Sequence, residues 1–286
     1  MRKFTALMST ARVLAAGAML MASGSAMAAN LVQNGSFESN GGVGQIGSVT
    51  SLNNWSVGAA TDGTTIPFDF VLDANADSTG FNSSTGTIRI WGPNTPTGVS
   101  NFPYSNPNPH NVGPVANGWP GTIPNGSYVF GADAAYANAP ISQTINGLTA
   151  GNEYDLTFSY AGAQFTDALG ANQQGWHVTL GGDVNKDTGD NPNGDLSNPS
   201  EGFTGWHTFS YTFTASTTSE TLTFLANGGP SGLPPFALLD NVSITGHMDP
   251  PPPSPVPEPS TIVLVGSSLF LIGAARSFRK KNAPAA

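Results

Sequence analysis

Residues 153–160 read Glu-Tyr-Asp-Leu-Thr-Phe-Ser-Tyr. In an extended chain Tyr154, Leu156, Phe158 and Tyr160 share one face, and Asp155, Thr157 and Ser159 share the other. A period of two in aromatic and β-branched residues marks a strand with one buried face. Residues 207–213 repeat it, with His207, Phe209, Tyr211 and Phe213 opposite Thr208, Ser210 and Thr212. Working outward, residues 127–130, 141–145, 176–180, 221–225 and 236–245 alternate in the same way. Turn residues punctuate the joints, as at Asn146-Gly147 and Gly151-Asn152. No apolar stripe of helical spacing and useful length appears between residues 30 and 247. The expectation is an all-β protein, a two-layer sandwich of eight or more strands.

Composition narrows the function. Of nine Lys and Arg, three (Arg2, Lys3, Arg12) open the chain and four (Arg276, Arg279, Lys280, Lys281) close it. Residues 29–255 keep only Arg89 and Lys186 against 17 acids, a net charge of −15. Such a surface repels nucleic-acid phosphates and anionic lipid, so neither is a partner, and it favours a soluble monomer. With no cysteine there is no disulfide framework, thiolate metal cluster or cysteine nucleophile.

Both ends read as addresses. Residues 1–28 have the form of a secretory signal: Arg2 and Lys3, an apolar run over 13–21, then Ala26-Met27-Ala28 for a signal peptidase. Residues 29–247 form the ectodomain, and 248–256 a proline-rich linker. The apolar stretch 261–275 is followed at once by basic residues, which set that end on the cytoplasmic side. Its 15 residues make about 23 Å of helix, short of a hydrocarbon core of about 30 Å.

The order Val256-Pro257-Glu258-Pro259, apolar helix, then Arg276, Arg279, Lys280 and Lys281 resembles the PEP-CTERM sorting signal of Gram-negative bacteria, here over residues 257–281. That resemblance implies export, recognition by a membrane-embedded exosortase, and release or transfer of the ectodomain to the cell surface. A permanent single-span anchor is the alternative, against which the short span argues.

The ectodomain carries a second resemblance. Asn30-Leu31-Val32-Gln33-Asn34-Gly35-Ser36-Phe37-Glu38 opens it, with Trp55 following. Ile141-Ser142-Gln143-Thr144-Ile145 leads through Gly147 and Gly151 to the 154–158 strand. Trp206 precedes the Phe213 strand, and Leu239-Asp240-Asn241-Val242-Ser243 closes the domain. This order resembles the galactose-binding-like jelly rolls, which include many carbohydrate-binding modules. Residues 92–126, rich in Pro, Asn and Gly, depart from it as a long insertion.

Alternation places Asp240 on the face of Leu238, Val242 and Ile244, hence inward. A buried carboxylate must be paired, hydrogen-bonded, protonated or metal-bound, and cations are scarce here. The resemblance implies a structural calcium where first and last strands meet, with Glu38 and Asp240 as ligands. The alternative is that Asp240 caps backbone N–H groups. Asp183-x-Asn185-x-Asp187 and Asp73-x-Asn75-x-Asp77 space oxygens as a calcium loop begins. Both lack the required glycine and final glutamate, so they read as solvated acidic loops.

No nucleophile elbow, phosphate-binding glycine loop or His-Glu-x-x-His is present. His177 and His207 each follow a tryptophan on a predicted strand and read as sheet residues. Around residues 91–119, Trp91, Tyr104 and Trp119 lie among prolines and asparagines with Phe102 and His110. These aromatics either stack sugar rings or pin the loop to the sandwich. The expected function is an exported, non-enzymatic sandwich held in exopolysaccharide. The alternatives are a surface protein with no sugar site and a secreted glycoside hydrolase.

Overall fold

The computed structural model describes residues 29–77, 88–95, 113–166, 168–190 and 196–248. Within them run β1 (Gly44–Gln45), β2 (Ser56–Val57), β3 (Asp69–Asp73), β4 (Tyr128–Asp133), β5 (Ile141–Asn146) and β6 (Glu153–Gln164). There follow β7 (Asn172–Leu180), β8 (Val184–Asp187), β9 (Leu196–Asn198), β10 (His207–Thr214), β11 (Ser219–Gly229) and β12 (Pro235–Gly246). The first sheet has the order β1-β3-β4-β12-β6-β10 and the second β2-β5-β11-β7-β8, with β9 beside the other end of β7. Every strand pair is antiparallel. Among the described residues no helix is long and apolar enough to cross a membrane. The signal segment 1–28 and the linker and sorting segment from 249 onward lie outside the described residues.

The two strands that decide the fold are neighbours. β6 and β10 pair with Tyr154 opposite Phe213, Leu156 opposite Tyr211 and Phe158 opposite Phe209. The predicted alternation therefore becomes one continuous aromatic face. Phe158 and Phe209 stack at 4.6 Å between ring centres, and Phe224 of the second sheet meets Phe158 edge-on at 5.1 Å. Aromatic cross-strand contacts of this kind add to the burial that drives the two sheets together. Phe37, Phe130, Ile141, Trp176, Val178, Leu222 and Leu239 complete the core between them. At one open side, Lys186 Nζ of β8 lies 5.1 Å from the Tyr211 ring of β10, so a cation covers the gap between edge strands.

The expected all-β sandwich of two antiparallel sheets holds; that picture is extended once and two further expectations are corrected. First, the two-layer picture is incomplete, because the first sheet has a roof. Phe70, Leu72, Val129, Phe236 and Leu238 on its outer face pack under Ile88, Ile90, Trp119 and Phe203. Strands β3 and β4 are buried on both faces, so the alternation that identifies one-sided strands cannot find the second cluster.

Second, β12 changes face. A register shift between Asp240 and Ser243, with Asn241 at φ 53°, is a bulge. Before it Leu238 packs in the roof cluster, while after it Val242 and Ile244 pack between the sheets. Asp240 therefore does not share a face with Val242 and Ile244; it is buried on the roof side of the sheet, under Asn125.

Third, residues 30–38 are not a strand. They form a laced turn in which Leu31 N donates to Ile244 O (2.9 Å) and Val242 N donates to Gly35 O (2.8 Å). A Cβ on Gly35 would stand 2.0 Å from Val242 O, so only glycine permits this approach.

Candidate functional site

The turn 125–128 sits where the opening segment meets β12, and two carboxylates hold it. Glu38 Oε1 accepts N–H bonds from Ser127 (2.8 Å) and Tyr128 (2.7 Å). Asp240 Oδ2 accepts from Asn125 N (2.8 Å) and its Oδ1 from Asn241 N (2.6 Å). Asn125 Nδ2 donates to Asn241 Oδ1 (2.9 Å). Gly126, at φ +92°, passes so close that a Cβ would lie 2.4 Å from the Glu38 carboxyl carbon. Burial pushes the Asp240 pKa up to about 7; the two N–H bonds oppose this, and the Glu38 charge adds to it. The two acids named from the sequence thus do come together, with Asp240 also capping backbone N–H groups. Among the described residues no cluster of three or more His, Cys, Asp or Glu side chains forms.

Neither acidic loop converges on a single point. Asp73 Oδ1 caps Asn75 N (2.9 Å), whereas Asp77 is buried and accepts from Asn94 N (2.9 Å). Burial lowers the Arg89 pKa and the Asp77 charge opposes that shift, so one of the two ectodomain cations is spent inside the fold. In the other loop Asp183 turns to Ser216 N (2.7 Å), while Asp187 Oδ1 meets His177 Nδ1 at 2.8 Å. His177 and His207 lie on β7 and β10, as sheet residues.

The tryptophans of the insertion are corrected as a stacking platform. Trp91 is 1% and Trp119 4% exposed, so neither presents an open ring to a sugar. Trp91 Nε1 donates to Ala168 O (3.0 Å) and Trp119 Nε1 to Ala74 O (3.2 Å), and Trp119 meets Phe203 edge-on at 5.0 Å. They pin the roof. Tyr104, Phe102 and His110 lie outside the described residues.

Two features are not visible in the apolar pattern of the sequence: a buried acid pair and the character of one face. Asp69 of β3 and Asp133 of β4 are 0% and 1% exposed. Burial raises the Asp133 pKa to about 7 against N–H bonds from Ala135 and Tyr136. Asp69 is raised well above the carboxylate range by burial, against the Ala139 N–H bond, and also by the Asp133 charge. The acids stood in the sequence, but their nearness depends on a β3–β4 register, with Asp69 opposite Ala132, that the apolar pattern did not specify. Among the described residues, by contrast, none roofs the second sheet. Ser142, Thr144 and Asn146 of β5, Thr221 and Thr223 of β11, and Thr179 of β7 face outward, partly or fully exposed.

No protein-family description matches this chain. It is 30% identical over 240 residues to part of Halomucin from Haloquadratum walsbyi (strain DSM 16790 / HBSQ001), covering 83% of this chain but 2% of that protein. Among solved structures it is similar to TmCBM61, determined in complex with β-1,4-galactotriose, at 12% identity and a TM-score of 0.40, over 77% of this chain and 99% of that one. It is also similar to the K3 cleaved adhesin domain of Lys-gingipain from Porphyromonas gingivalis W83, at 12% identity and a TM-score of 0.37, over 76% of this chain and 99% of that one.

Proposed function

We propose that this protein is an exported, non-enzymatic surface module that associates with exopolysaccharide. The observation that carries the reading is the unroofed outer face of the second sheet. It offers hydroxyls and an amide from Ser142, Thr144, Asn146, Thr179, Thr221 and Thr223, a lattice of donors and acceptors suited to a neutral polyhydroxyl polymer. The negative ectodomain argues in the same direction, since it repels polyanions. The adjacent carboxyls Asp69 and Asp133 are too deeply enclosed to act on a substrate, which supports a binding role over a hydrolytic one. Glu38 and Asp240, with carbonyl oxygens of the turn they hold, would carry a structural calcium; both are hard oxygen donors, and a cation between them would relieve their mutual repulsion. Export by the N-terminal signal and sorting by an exosortase complete the reading, on the strength of the terminal motifs.

A second reading, a surface filler with no sugar site, is favoured by Trp91 and Trp119, whose rings are both buried, Trp119 in the roof cluster. One experiment separates the two. Full-length protein is run in native gels cast with and without the exopolysaccharide of the producing cells, in calcium. Retardation by the polymer supports glycan association; identical mobility leaves the filler.

A further inference from the structure

At the end of the second sheet where β9 lies beside β7, a cleft of about 710 Å³ opens between β7, β9 and the end of β11. That size is within the range of small-ligand sites. We infer that this cleft binds an uncharged sugar residue, an assignment that rests on the glycan reading above and gives it a place.

Its floor is made of two asparagines paired across the strands, Asn172 of β7 and Asn198 of β9. They are 5% and 1% exposed. Asn172 Nδ2 donates to Leu233 O (3.3 Å) and Asn198 Nδ2 to Gly202 O (3.1 Å). These bonds fix both amides with their nitrogens engaged. Both Oδ1 atoms are buried and have no hydrogen-bond partner among the described residues; that of Asn198 lies against Gly202, where a Cβ would stand 2.2 Å from it, which leaves Asn172 Oδ1 as the acceptor at the cleft floor. A buried amide oxygen without a donor is costly, and a sugar hydroxyl is one donor that would relieve it. Next door, Gln174 is 1% exposed with both amide atoms unpartnered among the described residues, and it lines a smaller pocket of about 140 Å³. Gln173 borders both spaces.

The rim suits the same ligand. The exposed side chains of Gln173 and Ser197 stand opposite each other in the β7–β9 register and offer an amide and a hydroxyl. The exposed rings of Pro199 and Pro230 give flat apolar surface for sugar C–H groups. None of the described residues lining the cleft is ionisable. A uronate or sulfated sugar would find no cation to pair with and a negative protein around it, so the cleft selects against acidic glycans.

The test uses full-length protein on an array of neutral oligosaccharides (hexose, deoxyhexose and pentose) beside uronate oligosaccharides. Asn172→Ala tests the floor directly. The double variant Gln173→Ala/Ser197→Ala removes only exposed groups and so keeps the fold, which unchanged thermal melting verifies. The expected result is binding confined to neutral glycans and weakened at least tenfold in the double variant. Neutral binding at full strength in the folded double variant would overturn the cleft while leaving glycan association standing. Equal binding of uronates would overturn the selectivity argued here. Absence of binding anywhere on the array would sink the cleft, and unretarded migration in the exopolysaccharide gel would sink the glycan reading independently.

Discussion

Asp133 shows how a single residue couples this fold to pH. Its pKa rises from an ordinary value of 3.8 to about 7 on folding, mainly through burial. Between those values the unfolded chain has released the proton and the folded chain still holds it. Stability is therefore full below pH 3.8, falls as pH rises through that window, and levels off above about 7. The shift is worth on the order of 4 kcal/mol at about 1.4 kcal/mol per unit. Asp69 and Asp240 are raised by the same cause and act in the same direction. The melting temperature should thus be lower at pH 8 than at pH 5, the reverse of an acid-labile protein. Asp133→Asn, which keeps the shape without the charge, should flatten much of the slope. A melting temperature that climbs steadily from pH 5 to 8 in chelator would refute the assignment.

At the scale of elements, two junctions decide whether the sandwich holds. The opening segment is laced to β12 through Leu31, Gly35, Glu38 and Asp240, with the 125–128 turn between the two acids. A calcium bound there exists only in the folded state, so a hundredfold excess over its dissociation constant should stabilise by about 2.7 kcal/mol. Magnesium, which demands a tighter octahedron, should do less. Asp240→Asn should remove the calcium response while keeping a folded domain; superimposed melting curves with calcium and with chelator would eliminate the metal.

The second junction is the roof. Trp119→Ala, removing a 4%-exposed ring from the roof cluster, should cost about 3–5 kcal/mol in urea unfolding. If the variant instead kept its stability and lost glycan retention, Trp119 would be a binding residue after all. The sequence made the strands on the wide aromatic face readable, because Tyr154, Phe158, Phe209 and Phe213 alternate without interruption. It also pointed to Glu38 and Asp240 as partners. It hid the roof, because β3 and β4 are apolar on both faces, and it hid the facing of Asp240, because a bulge at Asn241 breaks the parity on which alternation depends. The amide cleft was equally illegible: Asn172, Asn198 and Gln173 are ordinary polar residues until β7–β9 pairing aligns them.

For the whole molecule, charge is sorted along the chain. Seven of nine cations are at the two ends, and residues 29–255 between them carry −15. Like copies of that ectodomain repel, so it should sediment as a monomer in physiological salt, and the basic tail is the part that differs in kind. As the proposed sorting segment, the 15-residue apolar stretch followed by four cations would hold the chain in a bilayer weakly by length and firmly by orientation. Under the exosortase reading that arrangement is temporary: cleavage near Pro257-Glu258-Pro259 frees an acidic module and discards the cationic end. Protein extracted from the cell surface should then give an intact mass lacking both residues 1–28 and residues 276–286. Its net charge should be more negative than that of the unprocessed precursor, visible as a shift toward the anode in isoelectric focusing. Replacing Glu258 with Gln and Pro257 with Ala should cause the precursor to accumulate in the membrane fraction. A surface-extracted mass that still includes Arg276, Arg279, Lys280 and Lys281 would mean the tail stays, and the module would then be a tethered one whose reach is set by its proline linker.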